Sequence, residues 1–211
     1  MEYKEAIEKL SAAYTDRYEI EFPLIFSMIE FQGKSVLEVG PAEGYFQKDA
    51  AVMASSVEAT ESIDKLPYAD KSFDIVLSRW IVQNVDDVES FVKEMCRVAK
   101  ENVMIILPSE EGDETRLLSI KDPDKFAKRK NRIEAIKEYI RDSGFKAREE
   151  RRLLNFVFPT FLETAEVFYT LGFGEDSSDE QVLRLKKFLM DRKEGEGVRI
   201  KQGASFICGF K

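Results

Sequence analysis

An α/β fold, with a mostly parallel sheet wound on both faces by helices, is predicted by two features of the 211-residue chain. Short apolar segments of strand character alternate with segments whose apolar residues recur at helical spacing. That alternation is typical of parallel sheets. The stretch SVLEVGPAEGYF, residues 35–46, has the pattern of a buried strand that ends in a glycine turn. In such sheets ligands bind outside the carboxyl ends of the strands, so the turn marks the expected site.

The first half of the chain contains four of the predicted strands. Residues 2–31 have helical spacing, with an interruption expected at Pro23. Asp86 and Asp87 can cap a helix whose apolar residues between 88 and 99 share one face. The remaining elements in chain order are a strand that begins at 35, a helix over 45–54, and strands within 55–62, 72–78 and 102–108.

The last third of the chain changes character. Capping-box patterns at 160–163 and 178–181 predict helices over 161–171 and 179–192, each with an apolar stripe. Residues 197–210 alternate as a strand that could pair antiparallel with 146–158. We expect a single domain of residues 1–211, made of an N-terminal helical cap (1–33), a core sheet (34–158), a helical cover (159–196) and the last strand (197–211).

The composition of the chain limits the kinds of catalytic and metal sites that it can contain. The chain has no histidine, which excludes histidine-based nucleophile systems, histidine metal sites and histidine proton shuttles. Cys96 and Cys208 have no companion at metal-ligand spacing and are expected to be reduced core thiols. We therefore expect no metal site.

Charge and hydropathy bear on partners. The net charge of -8 opposes binding to a phosphate backbone. The basic stretch Lys125 to Arg132 is read as the solvated face of a helix, so nucleic acid is not the expected partner. No uninterrupted apolar run stands at the N-terminus, which predicts no membrane partner and a cytoplasmic location.

The glycine turn does not fit two common ligand classes. A phosphate-binding P-loop needs a lysine and a hydroxyl residue that this turn lacks. A dinucleotide fingerprint that begins at Gly40 needs glycine at two further positions, where this chain has Ala42 and Tyr45.

The chain resembles the class I S-adenosylmethionine-dependent methyltransferases of the type 11-like branch in two segments, VLEVGPAEGYF and the later LPYADKSFDIVLSRWIVQNVDDVESFVKEMCRVAKENVMIILP. The resemblance covers residues 34–110 and implies a Rossmann-like sheet with S-adenosylmethionine as the cofactor. It implies that Glu38 faces the ammonium group and that an acid at the end of the second strand holds the ribose. That acid is Glu61, with Glu58 as the alternative. The cofactor-binding residues implied in this way are Glu38, Gly40, Ala42, Gly44, Glu61, Asp64, Leu66 and Ser78.

The chain departs from the family pattern in two places. Ala42 replaces a glycine of the turn. Only ten residues lie between Glu61 and Ser72, too few for a helix and a returning parallel strand. One edge strand, the third of the family, is therefore expected to be missing, with Ile63, Asp64 and Leu66 in place of the residues that enclose the adenine.

The resemblance also suggests where the acceptor binds. In the family, residues that follow the fourth strand lie over the methyl group, which here gives Arg79, Trp80 and Gln83, with Tyr14 and Tyr18 of the N-terminal helix approaching from another side. No catalytic residue is assigned, because methyl transfer relies mainly on positioning. The leading hypothesis is methyl transfer to a small-molecule or unidentified acceptor. The alternatives are a non-catalytic binding or regulatory partner and an RNA-modifying methyltransferase. The stripes of the helical cover could also form a homodimer face.

Overall fold

The computed structural model describes residues 1–40, 45–62 and 65–211. Its internal contacts separate two compact units. The first contains Met1–Glu21, Ser109–Lys130 and Arg152–Gly203, and the second contains Phe22–Pro108, Asn131–Arg151 and Ala204–Lys211. The expected single-domain organisation, with residues 159–196 as a cover, stays a prediction.

The sheet is mostly parallel, as the sequence predicts. Parallel pairing joins β1 to β2 and β3, and β3 to β4, whereas β7 runs antiparallel to β4. The strand order is β2-β1-β3-β4-β7-β5, with the short β6 paired to β7. The strands are β1 Ser35–Val39, β2 Ser56–Thr60, β3 Phe73–Arg79, β4 Ala99–Glu111, β5 Lys146–Phe158, β6 Lys193–Glu194 and β7 Gly197–Phe210.

The expected pairing between residues 197–210 and 146–158 is confirmed, because β7 and β5 are neighbours. Ser205 Oγ donates to Glu149 Oε1 at 2.8 Å, and a Cβ added to Gly197 would lie 2.5 Å from the Phe158 carbonyl oxygen. Residue numbers therefore rise along one strand as they fall along the other, so the two strands run antiparallel.

One edge of the sheet has one strand fewer than the family pattern, as expected from the chain length between Glu61 and Ser72. The strand β2 ends the sheet, and β3 is the next strand along the chain. The described residues between Thr60 and Phe73 form no helix or strand. Because an edge strand pairs on one side only, its loss leaves the hydrogen bonds between β1 and β2 intact.

Helices of the second unit cover the sheet. Asp87 caps α4 by accepting from the backbone N–H of Ser90, which confirms the predicted start of this helix. Its buried residues, among them Phe91 and Met95, pack with strand residues such as Val76 in one apolar core. The helices are α2 Phe22–Met28, α3 Tyr45–Ala50, α4 Val88–Val98 and α6 Lys125–Asp142, the last shared with the first unit.

The helices of the first unit follow the two predicted capping patterns. Thr160 accepts from the backbone N–H of Glu163, and Ser178 and Gln181 form a complete capping box. The helices are α1 Tyr3–Ala13, α5 Gly112–Leu118, α7 Phe161–Phe168 and α8 Asp179–Met190. Single π-helical turns over Arg17–Glu21 and Tyr169–Phe173 were not predicted.

Helix boundaries near the N-terminus and after the glycine turn differ from those expected. The N-terminal helix ends at Ala13, and Pro23 lies in the first turn of α2, where a missing N–H costs no helical hydrogen bond. The helix after the glycine turn ends at Ala50. Within the described residues, no helix combines the length and apolar character needed to cross a bilayer.

Candidate cofactor site

Gly40 terminates β1 at the carboxyl edge of the sheet. Its N–H donates to the carbonyl oxygen of Thr60 at 2.8 Å, which fixes the ends of β1 and β2 side by side. Its φ of 126° lies in a region that favours glycine. A Cβ added there would lie 3.2 Å from Ile81 Cγ2, so a larger residue would have to displace Ile81. Both features explain why glycine stands at the start of the turn.

The two candidate ribose acids differ in their surroundings. Glu61 directly follows β2 and is exposed. Glu58 lies within β2 and accepts a hydrogen bond from Tyr68, whose pKa is raised by burial first and by the Glu58 charge second. A carboxylate already engaged by a tyrosine is the weaker candidate for two ribose hydroxyls.

Glu38 and Arg79 form a buried ion pair. Glu38 is in register with Leu77 of β3, and Arg79 follows two residues later, so both side chains extend from the same face of the sheet. The Glu38 Oε1 atom lies 3.6 Å from Arg79 Nη1, and the two side chains are 6% and 7% exposed. A buried carboxylate needs such a counter-charge, because an isolated one is strongly destabilising.

The Arg79 guanidinium is enclosed by two aromatic rings. Its central carbon lies 5.0 Å from the ring centroid of Phe22 and 5.7 Å from that of Phe46. These rings belong to an aromatic cluster in which Phe22 and Phe46 meet edge to face at 5.5 Å. The sequence-based prediction put Arg79 with the acceptor and did not identify this enclosure. The position of Phe46 near the start of the helix after the glycine turn was the sequence feature that could have indicated it.

The turn after β3 is tightly held. Trp80 has a φ of 57°, an unusual value for a bulky residue, and its N–H donates to the Ile106 carbonyl oxygen at 2.8 Å. Gln83 Nε2 in turn donates to the Trp80 carbonyl oxygen at 2.5 Å. Strained backbone of this kind clusters at functional sites.

Two buried polar atoms near this turn have no hydrogen-bond partner within the described part of the chain. They are Ser78 Oγ, at the end of β3, and Gln83 Oε1. Ser78 is 1% exposed. Buried polar atoms are nearly always paired, so a bound molecule or water is the expected partner.

The remaining predicted cofactor residues have different outcomes. Leu66 is 2% exposed and belongs to the apolar core, with its backbone held by Glu94 and Arg97. Ala42, Gly44 and Asp64 lie outside the described residues.

Tyr14 and Tyr18, predicted to approach the acceptor, belong to the first unit. The Tyr14 hydroxyl donates to Glu21 Oε2 at 2.5 Å, and its ring stacks on Phe156 at 5.0 Å. Glu21 is fully buried, whereas Tyr18 is exposed. No sequence pattern indicated the Tyr14–Glu21 pair.

The basic stretch of α6 is engaged within the protein. In the first unit Lys128 pairs with Asp122 at 2.9 Å, and Arg129 forms a two-point ion pair with Glu114. In the second unit Arg132 donates to the Val82 carbonyl oxygen at 2.8 Å. These pairings support the prediction that the stretch is a structural helix face.

Comparison with solved structures finds methyltransferases with the same fold. The fold resembles that of a presumed methyltransferase from Bacillus halodurans C-125, at 15% identity over 90% of this chain and 97% of the other, with a TM-score of 0.59. It also resembles an S-adenosylmethionine-dependent methyltransferase from Aquifex aeolicus, at 12% identity over all of both chains and a TM-score of 0.53. A third similar structure is phosphoethanolamine N-methyltransferase 2 of Haemonchus contortus, in complex with phosphomonomethylethanolamine and S-adenosylhomocysteine. It shares 18% identity over 92% of this chain and 53% of its own, with a TM-score of 0.54.

The fold is thus that of the class I methyltransferases. Residues 41–107 match the family model described as a methyltransferase domain. This part of the chain thus has the features of a methyltransferase domain, on a fold shared with known methyltransferases.

The residues at the carboxyl edge fit S-adenosylmethionine. The cofactor carries an ammonium group, and Glu38 supplies a buried carboxylate beside the glycine turn. Gly40 lets the backbone approach a ligand, and Glu61 stands at the adjacent strand end. Ser78 Oγ, which has no hydrogen-bond partner among the residues that the structure describes, provides a further group for a ligand to satisfy.

Proposed function

We propose that the protein transfers the methyl group to a small molecule whose nucleophile carries an N–H or O–H group. The observation that carries this proposal is the buried Gln83 Oε1 atom, which lacks a hydrogen-bond partner among the described residues. Gln83 Oε1 can accept from an N–H or O–H group. Trp80 and Gln83 would then orient the acceptor. The assignment of Tyr14 and Tyr18 to the same acceptor rests on the sequence alone.

The chemistry requires little more than placement. When bound, S-adenosylmethionine supplies an electrophilic methyl group on a sulfonium, which an acceptor lone pair displaces in line. Positioning of two reactants can contribute about 7 to 11 kcal/mol to such a step. Gln83, fixed by its bond to the Trp80 carbonyl, would hold the nucleophile in line, and the released proton can pass to water. This account agrees with a chain that has no histidine.

Two further observations support a small acceptor. Two cations of the basic stretch, Lys128 and Arg129, are paired with carboxylates, and the net charge of -8 opposes binding to an RNA backbone. The Haemonchus contortus structure has a small phosphorylated amine bound on this fold, which supports an acceptor of that size.

The test is a transfer assay with S-adenosylmethionine labelled in its methyl group. Separate reactions contain small amines, phenols and carboxylic acids, bulk transfer RNA, or a protein mixture. We expect label in a small-molecule reaction, accompanied by an equal amount of S-adenosylhomocysteine. Label confined to the RNA or the protein would contradict the proposal.

A matched pair of variants separates acceptor binding from cofactor binding. Gln83→Leu should lower turnover with the accepted small molecule by roughly tenfold or more, because a hydrogen bond worth about 1.5 kcal/mol is lost. It should leave S-adenosylhomocysteine affinity unchanged. Asn84→Ala, at the exposed neighbouring position, is the control and should change neither.

A further inference from the structure

The strand β2 leaves one edge of the sheet open. It stands at one end of the strand order, and it is exposed at Ser56, Glu58 and Ala59 and half-buried at its other two positions. Its outer side has no backbone partner among the residues that the structure describes. The described residues between Thr60 and Phe73 form no strand that could pair with it. Where the family pattern has a further strand, this chain has an open edge.

The open edge presents the backbone groups of two residues. The Thr60 carbonyl oxygen accepts from the Gly40 N–H at 2.8 Å, so Thr60 directs its backbone groups toward β1. Alternate residues of a strand direct these groups to opposite sides, and Val57 and Ala59 therefore direct theirs outward. Each offers one N–H donor and one carbonyl acceptor to an added strand.

The strand β5, at the other end of the strand order, has partners from its own chain on its edge. The backbone N–H of Asn155 donates to Asp16 Oδ2 at 2.8 Å, and the Asn155 carbonyl oxygen accepts from the Thr15 N–H at 3.2 Å. The chain thus covers part of this edge with its own residues. Within the described ranges it supplies no such cover to β2.

A second copy of the chain fits the β2 edge poorly. An antiparallel pair that uses all the outward groups of both copies places Val57 of one copy opposite Ala59 of the other. The two Glu58 side chains are then directly opposite each other, with their Cα atoms about 4.5 Å apart. Like charges in this arrangement are destabilising. The exposed Glu58 therefore disfavours self-association and favours a strand of opposite charge.

We propose that the β2 edge binds an extended segment of another protein, which adds a strand to the sheet and places a lysine or arginine opposite Glu58. Hydrogen bonds to the backbone of Val57 and Ala59 supply affinity in this mode of recognition, and side chains along the strand supply specificity. The surface is separate from the groups used for methyl transfer, so failure of this inference leaves the proposed function untouched.

Tyr68 adds a second feature that a cation recognises. Its hydroxyl donates to Glu58, so the aromatic ring lies close to this carboxylate. The ring is half-buried and meets Phe73 edge to face at 4.9 Å, which fixes its position. A lysine or arginine opposite Glu58 can pair with the carboxylate and also approach the face of the ring.

A display library of random nine-residue peptides, selected on the full chain, tests the proposal. We expect enriched peptides with a central lysine or arginine between β-branched residues. Ala59→Pro removes the outward N–H and should weaken these peptides by roughly tenfold or more, because a backbone hydrogen bond is lost. Proline is tolerated on an edge strand, so the pairing with β1 should persist. Ala59→Ser keeps the N–H and is the matched control, which should bind like the wild type.

Charge reversal at Glu58 gives an independent readout. Glu58→Lys should change the preference of the library from basic to acidic peptides. Glu89→Lys reverses an acid of α4 whose side chain is 50% exposed, and it should leave the basic preference unchanged. A thermal melt checks the fold of each variant, and if Ala59→Pro unfolds, Glu58→Lys carries the test.

Three results would overturn the proposal. The first is a library without enriched peptides. The second is a set of peptides that bind folded Ala59→Pro as tightly as the wild type, or that keep a basic preference on Glu58→Lys. The third is a wild-type dimer in sedimentation velocity that becomes a monomer in Ala59→Pro, which would assign the edge to a second copy of the chain.

Discussion

The backbone N–H of Gly40 donates to the carbonyl oxygen of Thr60 at 2.8 Å, so the glycine turn and the end of β2 lie at one level of the sheet. Glu61 is the next residue after Thr60. This register puts an exposed carboxylate beside the start of the turn, where the ribose of the cofactor is expected.

Glu61→Ala should weaken binding of S-adenosylhomocysteine by about 1.5 to 3 kcal/mol, because hydrogen bonds to a charged group are lost. The fold should be preserved, since Glu61 is exposed and follows the strand. Calorimetric titration measures the affinity, and a thermal melt checks the fold.

Glu58→Ala is the matched comparison for Glu61. It removes the partner of Tyr68 and should therefore change stability more than cofactor affinity. Should the affinity loss fall on Glu58 instead, the ribose acid would be three residues earlier in the chain than we predict.

Gly40→Ala should destabilise the protein by more than about 1 kcal/mol, because alanine is strained at a φ of 126°. It should also weaken cofactor binding, because the added Cβ lies 3.2 Å from Ile81. Gly144→Ala is the control for strain alone, since Gly144 has a φ of 85° with open space around it. Equal cofactor affinity in the two variants would count against a role of Gly40 in the site.

Asp74 links β3 to β1 and gives the protein a pH-dependent stability. Hydrogen bonds from the Ser35 backbone N–H and hydroxyl lower the pKa of Asp74 to about 2, with Lys100 adding to the effect. Because the pKa of Asp74 is lower in the folded than in the unfolded protein, its ionised form stabilises the folded state. This stabilisation is fully present at pH values above the unfolded-state pKa and is lost as the pH falls toward 2. Asp74→Asn should cost about 2 kcal/mol of unfolding free energy at pH 7.

Urea titrations at several pH values test this linkage. The difference in unfolding free energy between wild type and Asp74→Asn should shrink from pH 4 toward pH 2. Asp142→Asn, at the exposed end of α6, is the control. A difference that stays constant from pH 7 to pH 2 would refute the role given to Asp74.

Cys96 and Cys208 should be inert in the native protein. Burial raises the pKa of each thiol to about 11, and the thiolate is the reactive form. At pH 8 a disulfide reagent should modify both cysteines at least about 100-fold more slowly in the native than in the unfolded protein. Rapid modification of the native protein would show that the thiols are accessible.

The sequence predicted those parts of the fold that depend on local pattern. The caps at Asp87, Thr160 and Ser178 each depend on a side chain that bonds a backbone group three residues away, so short motifs were sufficient. The missing edge strand followed from the family pattern and the short chain length between Glu61 and Ser72. The glycine at position 40 could be recognised because a turn between strand and helix needs its backbone freedom.

The surroundings of Arg79 could not be predicted in the same way. Its partners are Glu38 on another strand and Phe22 and Phe46 on two helices, and no local pattern joins these positions. The Tyr14–Glu21 pair likewise requires a π-helical turn, which has no recognised signal in this stretch. Long-range side-chain contacts are set by the packed structure.

The most direct test of the account is whether S-adenosylhomocysteine stabilises the protein against heat. At about 100 times its dissociation constant, a ligand of the native state adds about 2.7 kcal/mol, which corresponds to a melting shift of about 5 to 10 °C. NAD at the same concentration is the control, because the turn lacks the dinucleotide pattern. We expect a shift with S-adenosylhomocysteine and none with NAD; no shift with saturating S-adenosylhomocysteine would contradict the cofactor assignment.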